Sequence, residues 1–230
     1  MCLVFDGTTG QHVGLIDGAT LTARRTAAAS ALAARHLARA DAASLLVVGA
    51  GQVAAELPAA FTAVRPIRRV HIWNRNPEAA HKLAAAWQAQ GMDAEVQTDL
   101  ESTVSQVDII SCATLATAPL IRGEWLQPGQ HLDLLGAFTP RMREADDLAL
   151  QRSRLYVDSE ACISEAGEIA LPLASGAIRR EHILGTLFDL CREAREGRAA
   201  VRDPQAITCF KSAGNAAMDL AAAGLAMRAV

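Results

Sequence analysis

Aromatic side chains are scarce in this chain of 230 residues: five Phe, three Trp and one Tyr, 4% in all. The hydrophobic share still reaches 51%, much of it alanine. That balance excludes a disordered or fibrous chain and describes a helix-rich globular protein. Cysteine is sparse and scattered. Cys2, Cys112, Cys162, Cys191 and Cys209 are odd in number and never spaced C-x-x-C, which argues against a disulfide framework or a zinc site and for a reducing cytoplasm. Long basic runs are missing too. With 22 Lys and Arg against 25 Asp and Glu, the net charge is −3, and the footprint of a nucleic-acid binder is absent. No stretch of about 18 consecutive apolar residues occurs, and the start lacks the basic-then-apolar layout of a signal peptide. Neither a membrane-spanning nor a secreted protein is expected. His12, His36, His71, His81, His131 and His182 show no H-E-x-x-H spacing, so they read as surface or satisfied histidines and no metal is expected.

What is present is an alternation. "LVFDGTTGQHVGLIDG" (3–18) holds two β-prone runs around Thr8-Thr9-Gly10 and reads as a hairpin. The alanine-rich segment 22–40 reads as one long helix that Thr22 would cap. Strand-like runs at 44–49, 69–73, 94–98, 107–114, 130–137 and 154–159 then alternate with helical patterns, notably 52–64 and 77–90. This βαβ rhythm predicts an α/β fold with a doubly wound parallel sheet. The apolar segment 214–227 is expected to pack back on the first helix.

The most telling stretch is "VVGAGQVAAEL", 47–57. Gly49, Gly51 and Ala54 match G-x-G-x-x-G/A between a strand and a helix. The first glycine permits a tight turn, the second lets a pyrophosphate approach the backbone, and the small third residue lets helix meet strand. The helix start adds free N–H groups and a positive dipole end. At the end of the next strand, dinucleotide sites selective for NAD carry an acidic residue for the ribose 2′-hydroxyl; here the chain reads Trp73-Asn74-Arg75-Asn76. Asn74 and Arg75 suit a 2′-phosphate, so NADP(H) is favoured, with NAD(H) possible.

"LTARRTAAASALAARHLA", "GAGQVAAEL", "VHIWNRNPEAA", "SCATLATAPLI", "GAFTPRMREADD" and "FKSAGNAAMDLAAA" occur in this order, and together the chain resembles the ornithine cyclodeaminase/mu-crystallin family over nearly its whole length. The resemblance implies a Rossmann dinucleotide-binding domain over 27–205. An incomplete α+β dimerisation and substrate domain would be built from 1–26 and 206–230. Relatives usually carry more chain at the N-terminus, including a second arginine and a lysine for substrate. The resemblance also makes Arg25 the grip for a substrate carboxylate, a task suited to a guanidinium's planar fork. Adjacent Arg24 would point about 100° away round the helix. Gln52 and Val53 would meet the pyrophosphate, Ala113 and Thr114 would line the cofactor ribose, and Ser212 and Ala213 would close over nicotinamide and substrate. Lys211 reads as a solvated lysine or phosphate contact, with an acid as the alternative, and Cys112 as a small buried thiol. Glu160, Glu165 and Glu168 read as a solvated helical face or loop, while the resemblance sets their segment near the cleft, where substrate contact by one of them is the alternative.

One departure shapes the functional expectation. Where true cyclodeaminases read Gly-Asp-x-Pro-Gly-Lys, with the Asp catalytic, this chain reads Gly136-Ala137-Phe138-Thr139-Pro140-Arg141. Asp133 lies just upstream, inside a strand. "GAFTPRMREADD" looks most like bacterial reductases of Δ1-pyrroline-2-carboxylate and Δ1-piperideine-2-carboxylate. The resemblance therefore implies NAD(P)H-dependent reduction of a small cyclic imino acid to L-proline or L-pipecolate by a homodimer, with no side chain singled out as the acid. Cyclodeaminase or alanine dehydrogenase activity, and a non-catalytic, crystallin-like nucleotide binder, are the alternatives.

Overall fold

The computed structural model describes residues 1–196, 200–201 and 203–228. Strands β1 (Cys2–Phe5) and β2 (His12–Ile16) pair antiparallel as the expected hairpin. Helix α1 (Gly18–Leu37) follows. It starts before Thr22 because the Asp17 carboxylate accepts Thr20 N–H at 2.8 Å and satisfies a donor that a helix start leaves orphaned.

The alternation then runs β3 (Ser44–Val48), α2 (Gln52–Thr62), β4 (Arg69–Trp73), α3 (Pro77–Ala89), β5 (Ala94–Val96), α4 (Leu100–Val104), β6 (Ile109–Cys112) and β7 (His131–Leu134). The second half holds α5 (Asp147–Gln151), β8 (Arg154–Val157), α6 (Cys162–Glu165), α7 (Gly167–Ser175), β9 (Ile183–Thr186), α8 (Leu187–Arg195), β10 (Thr208–Lys211) and α9 (Ala216–Arg228). Strands β3 to β10 form one parallel sheet in the order β5-β4-β3-β6-β7-β10-β8-β9. The chain winds outward from β3 one way and from β6 the other. A crevice therefore opens between β3 and β6 at the C-terminal strand ends, where open parallel sheets bind ligands.

Side chains alternate across the sheet with the period of two that a pleated strand imposes. Leu46, Val48, Ile110, Cys112, Leu132 and Leu134 enter the core on one face. Leu45, Val47, Ile109, Tyr156 and Phe210 enter the layers under α1 and α2 on the other. Alanine dominates the buried side of α1 (Ala23, Ala27, Ala29, Ala31, Ala33, Ala34), letting the helix lie close against the sheet and α2. α9 contacts α1, as its apolar spacing predicts.

β10 sits inside the sheet between β7 and β8, and α1 is continuous across residues 26 and 27. Boundaries at 26/27 and 205/206 therefore cut a helix and detach a segment whose strand belongs to the sheet. A four-residue strand returning from the chain's end carries too short a pattern to announce its partners. No described helix is long and apolar enough to cross a membrane.

His131 is wholly buried where β7 meets β10. Its Nδ1 lies 2.9 Å from Thr208 Oγ1, and its Nε2 has no partner among the described residues. The surface or satisfied reading thus fails at this one ring nitrogen. Burial drives its pKa down to about 3. The folded state thus holds His131 neutral while the unfolded chain protonates near pH 6.5, so its contribution to stability is lost as pH falls from about 6.5 towards 3. Asp133, raised to about 6 by burial, acts with the opposite sign over much of the same window. His131→Gln isolates the histidine. In urea titrations, the parent should lose about 3 kcal/mol relative to this variant between pH 6.5 and 4; parallel pH curves would refute the assignment.

Candidate active site

The turn after β3 is shaped as the glycine pattern requires. Gly49 adopts φ +115°, and a Cβ there would lie 2.5 Å from the Ala113 carbonyl oxygen, so this glycine serves the fold. Gly51 differs: a Cβ added there would meet nothing within 4 Å. It caps α2 with extended backbone and offers no capping side chain, so the first N–H groups of α2 stay free for an anion. Ala54 is buried against the core.

Two cavities meet in front of this turn. One, of about 300 Å³, is lined by Gly49, Gly51, Trp73, Asn74, Arg75 and Thr114 among others. Arg75 is exposed, and Asn74 Nδ2 donates to the Asn76 carbonyl at 2.9 Å. The other, of about 290 Å³, lies between α1 and the ends of β6, β7 and β10, where Arg25, Val53, Phe138, Ser212 and Ala213 face it. Ala113, Thr114 and Leu115 line both. Gln52 alone of the expected site residues lines neither; it is exposed on the first turn of α2.

Arg25 is the cation of the second cavity. Its side chain is only 13% exposed, and its Nε stands 2.8 Å from Asp219 Oδ1 on α9 in an ionic contact not aligned as a hydrogen bond. Arg24 points out to Glu56 at 3.6 Å. Gly214, at φ +85°, turns its Cα towards the guanidinium; a Cβ there would lie 2.6 Å from Arg25 Nη1. The strap carrying Ser212 to Gly214 is held from beneath by buried Asp158, which accepts Ser212 Oγ at 2.8 Å, Ala213 N–H at 3.0 Å and Gly214 N–H at 2.7 Å. Sequence reasoning passed over Asp158, since nothing local marks it. Thr22 and Thr26 also line this cavity, and their place on the Arg25 face of α1 was open to inspection. At the position of the cyclodeaminase Asp, Ala137 is buried and Phe138 presents its ring to the cavity.

Beneath both cavities lies a set of buried charges that contradicts two expectations. Lys211 is fully buried rather than solvated, with Nζ donating to the Leu134 carbonyl at 3.1 Å. Glu168 is fully buried rather than on a solvated face, and its carboxylate accepts Glu144 N–H at 2.7 Å and Ala145 N–H at 3.1 Å. Glu165 is exposed, and Glu160 pairs with Arg180 at 2.8 Å. Burial pushes Glu144 up to about 7, opposed by the Lys211 charge and by hydrogen bonds from Thr114. Burial raises Glu168 as well, again opposed first by Lys211. Asp133, inside β7 as expected, accepts from Ser30 Oγ of α1 at 2.9 Å and from Ser111 Oγ, pinning α1 to the sheet five residues beyond Arg25. Burial also raises the Cys112 thiol far above its ordinary range, which leaves it inert.

A model of the ornithine cyclodeaminase/mu-crystallin family matches residues 1–228. The chain belongs to this family. Among its relatives, a Δ1-pyrroline-2-carboxylate reductase of Paracoccus denitrificans is 46% identical over 220 residues, 95% of this chain and 69% of the relative. The ketimine reductase mu-crystallin of Rattus norvegicus is 36% identical over 224 residues, 97% of this chain and 67% of the relative. The solved structure of Thermococcus litoralis Δ1-pyrroline-2-carboxylate reductase, in complex with NADH and L-proline, superposes with a TM-score of 0.92 at 31% identity. That match covers 98% of this chain and 70% of the other. In this chain the glycine turn lines one cavity and Arg25 the other, and the two cavities share Ala113, Thr114 and Leu115.

Proposed function

We propose that this member of the family reduces a small cyclic imino acid, Δ1-pyrroline-2-carboxylate or Δ1-piperideine-2-carboxylate, to L-proline or L-pipecolate. The observation that carries this reading is the junction at Thr114. It joins a cavity built for a dinucleotide to one holding a single cation, Arg25, and no lining carboxylate among the described residues. The names of the Paracoccus and Thermococcus relatives point the same way. The residues fit a nicotinamide dinucleotide: Gly51 leaves open space where any side chain would intrude, and the α2 start is uncapped. When bound, that cofactor supplies the hydride. Arg25 binds and orients the substrate carboxylate, the Ser212 to Gly214 strap and Phe138 shield the ring from water, and Val53 and Thr114 fix the cofactor's approach. No lining carboxylate is at hand to manage the protons of an amine elimination, whereas a cyclic imine takes its proton from water. The exposed apolar residues Leu3, Phe5 and Leu15 on the hairpin and Leu220 and Leu225 on α9 support a homodimer, and the scattered free thiols a cytoplasmic setting.

The test follows nicotinamide absorbance with each imine and, as contrast, with pyruvate plus ammonia. Turnover confined to the cyclic imines supports the reading. Cofactor binding without turnover of either imine sinks it and leaves a nucleotide binder.

We further propose NADP(H) over NAD(H), because Asn74 and Arg75 line the first cavity and no acidic side chain does. Arg75→Ala should weaken NADPH binding by about 1–3 kcal/mol, the range for hydrogen bonds to charged groups, with NADH binding little changed. Titration by nucleotide fluorescence would decide, and an equal loss for both would overturn the 2′-phosphate assignment.

A further inference from the structure

Strands β6 and β7 pair in register up to Cys112 and Leu134, and Leu135 N–H still reaches the Cys112 carbonyl at 2.8 Å. Beyond that point the two chains part to form the loops that line the cavities, and the amides of Thr114 and Gly136 lose their strand partners. Both donate instead to one side chain. Glu144 Oε1 accepts Thr114 N–H and Thr114 Oγ1, each at 2.8 Å, and Glu144 Oε2 accepts Gly136 N–H at 2.7 Å. The same residue closes the far end of the first loop, since its carbonyl accepts Leu120 N–H at 2.8 Å and Ile121 N–H at 2.9 Å. Glu144 is fully buried, and its backbone is in turn fastened to Glu168. No side chain fits at Gly136, where a Cβ would overlap the Thr114 carbonyl oxygen and Glu144 Oε1.

The loop tied at both ends by Glu144 supplies Thr114, Leu115, Ala116 and Leu120 to the first cavity, and Thr114 and Leu115 also to the second. Gly136 and Phe138 of the other loop face the second cavity. We infer that Glu144 is a positioning residue that couples the cofactor cavity to the substrate cavity by holding Thr114 and Gly136 on one carboxylate. This rests on the functional reading above for the identity of the two ligands. A carboxylate is suited to the task because it offers only acceptors to three converging donors. Glutamine of the same shape turns an amide NH₂ towards a backbone N–H and leaves at least one buried donor unmet.

The experiment measures dissociation constants on the full chain for NADPH and for pyrrole-2-carboxylate, an unreactive planar carboxylate, each with and without the other. Glu144→Gln should weaken both by about tenfold or more and erase most of the tightening that each ligand confers on the other. Thr114→Val keeps the backbone N–H bond to Glu144 but removes the two hydrogen bonds of Oγ1, to Glu144 at 2.8 Å and from Ala116 N–H at 3.2 Å, and should shift both constants the same way by less. Constants within twofold of the parent in folded Glu144→Gln, with only a lowered Tm, would overturn the inference. Should Glu144→Gln fail to fold, unchanged constants in Thr114→Val overturn it. Amide exchange separates this failure from that of the functional reading, because it needs no ligand. Slow exchange at Thr114 and Gly136 in the parent, lost in Glu144→Gln, supports the clamp; fast exchange in the parent overturns it. A parent with protected amides that binds no nicotinamide overturns the functional reading instead.

Discussion

Arg25→Ala is expected to lower kcat/KM for the cyclic imine by about 10²- to 10⁴-fold, while the dissociation constant for the nicotinamide cofactor stays within about twofold. A guanidinium holding a carboxylate makes two charge-assisted hydrogen bonds, each worth about 1.5–3 kcal/mol, and alanine removes both. The loss belongs to the substrate cavity alone, since Arg25 lines that cavity and not the one beside the glycine turn. The fold should survive. The arginine's ion-pair partner, Asp219, is 42% exposed, so water replaces the guanidinium at little expense. Arg25→Lys should recover only part of the activity, because an ammonium is a point charge without the planar fork. Steady-state kinetics with both imines and a cofactor titration decide the matter. An unchanged KM in Arg25→Ala would remove the carboxylate grip from Arg25.

Gly51→Val should abolish measurable nicotinamide binding, a loss on the order of 100-fold or more from overpacking against the pyrophosphate, with the Tm of the free protein nearly unaltered. The two glycines of the turn are separable on geometry. A Cβ at Gly51 would stand in open space with the backbone at φ −90°, so it obstructs only a ligand. A Cβ at Gly49 would clash with the Ala113 carbonyl from a left-handed backbone, so Gly49→Ala should cost about 1–3 kcal/mol of stability. Paired denaturation and cofactor titrations on the two variants test this. A destabilised Gly51→Val that still binds cofactor would reverse the roles assigned to the two positions.

The parts legible in the sequence were those whose causes lie within a few residues. The apolar run of β3, the glycine turn and the start of α2 are adjacent in the chain, and each constrains the next through backbone geometry. Asn74 and Arg75 follow β4 directly and line the same cavity. Arg25 was singled out by the family resemblance, and helical rotation set Arg24 on another face, where it points to Glu56. Where a local signal pointed to the wrong cap, as at Thr22, a better one lay five residues earlier at Asp17.

The buried charges were another matter. Glu144 meets Thr114 across 30 positions of sequence, and Glu168 meets Glu144 across 24. Asp158 meets the strap across 54 to 56. In the chain these are ordinary acidic residues near loops, and solvation is the default for such side chains. Burying a carboxylate is unfavourable unless donors converge on it. For Glu144 and Asp158 those donors are released where the parallel strands β6, β7 and β10 end at the same edge, and for Glu168 they are the Glu144 and Ala145 amides that the tie at Thr114 and Gly136 holds in place. Lys211 is buried for the same reason. It ends β10, whose place between β7 and β8 sets it among Glu144, Glu168 and Asp133. The sequence by itself thus determined the α/β alternation, the glycine turn between β3 and α2 and, through its ordered motifs, the family. Only the tertiary structure decided where β10 inserts and which carboxylates hold the site together, because desolvation and its compensation depend on groups that meet only in the folded sheet.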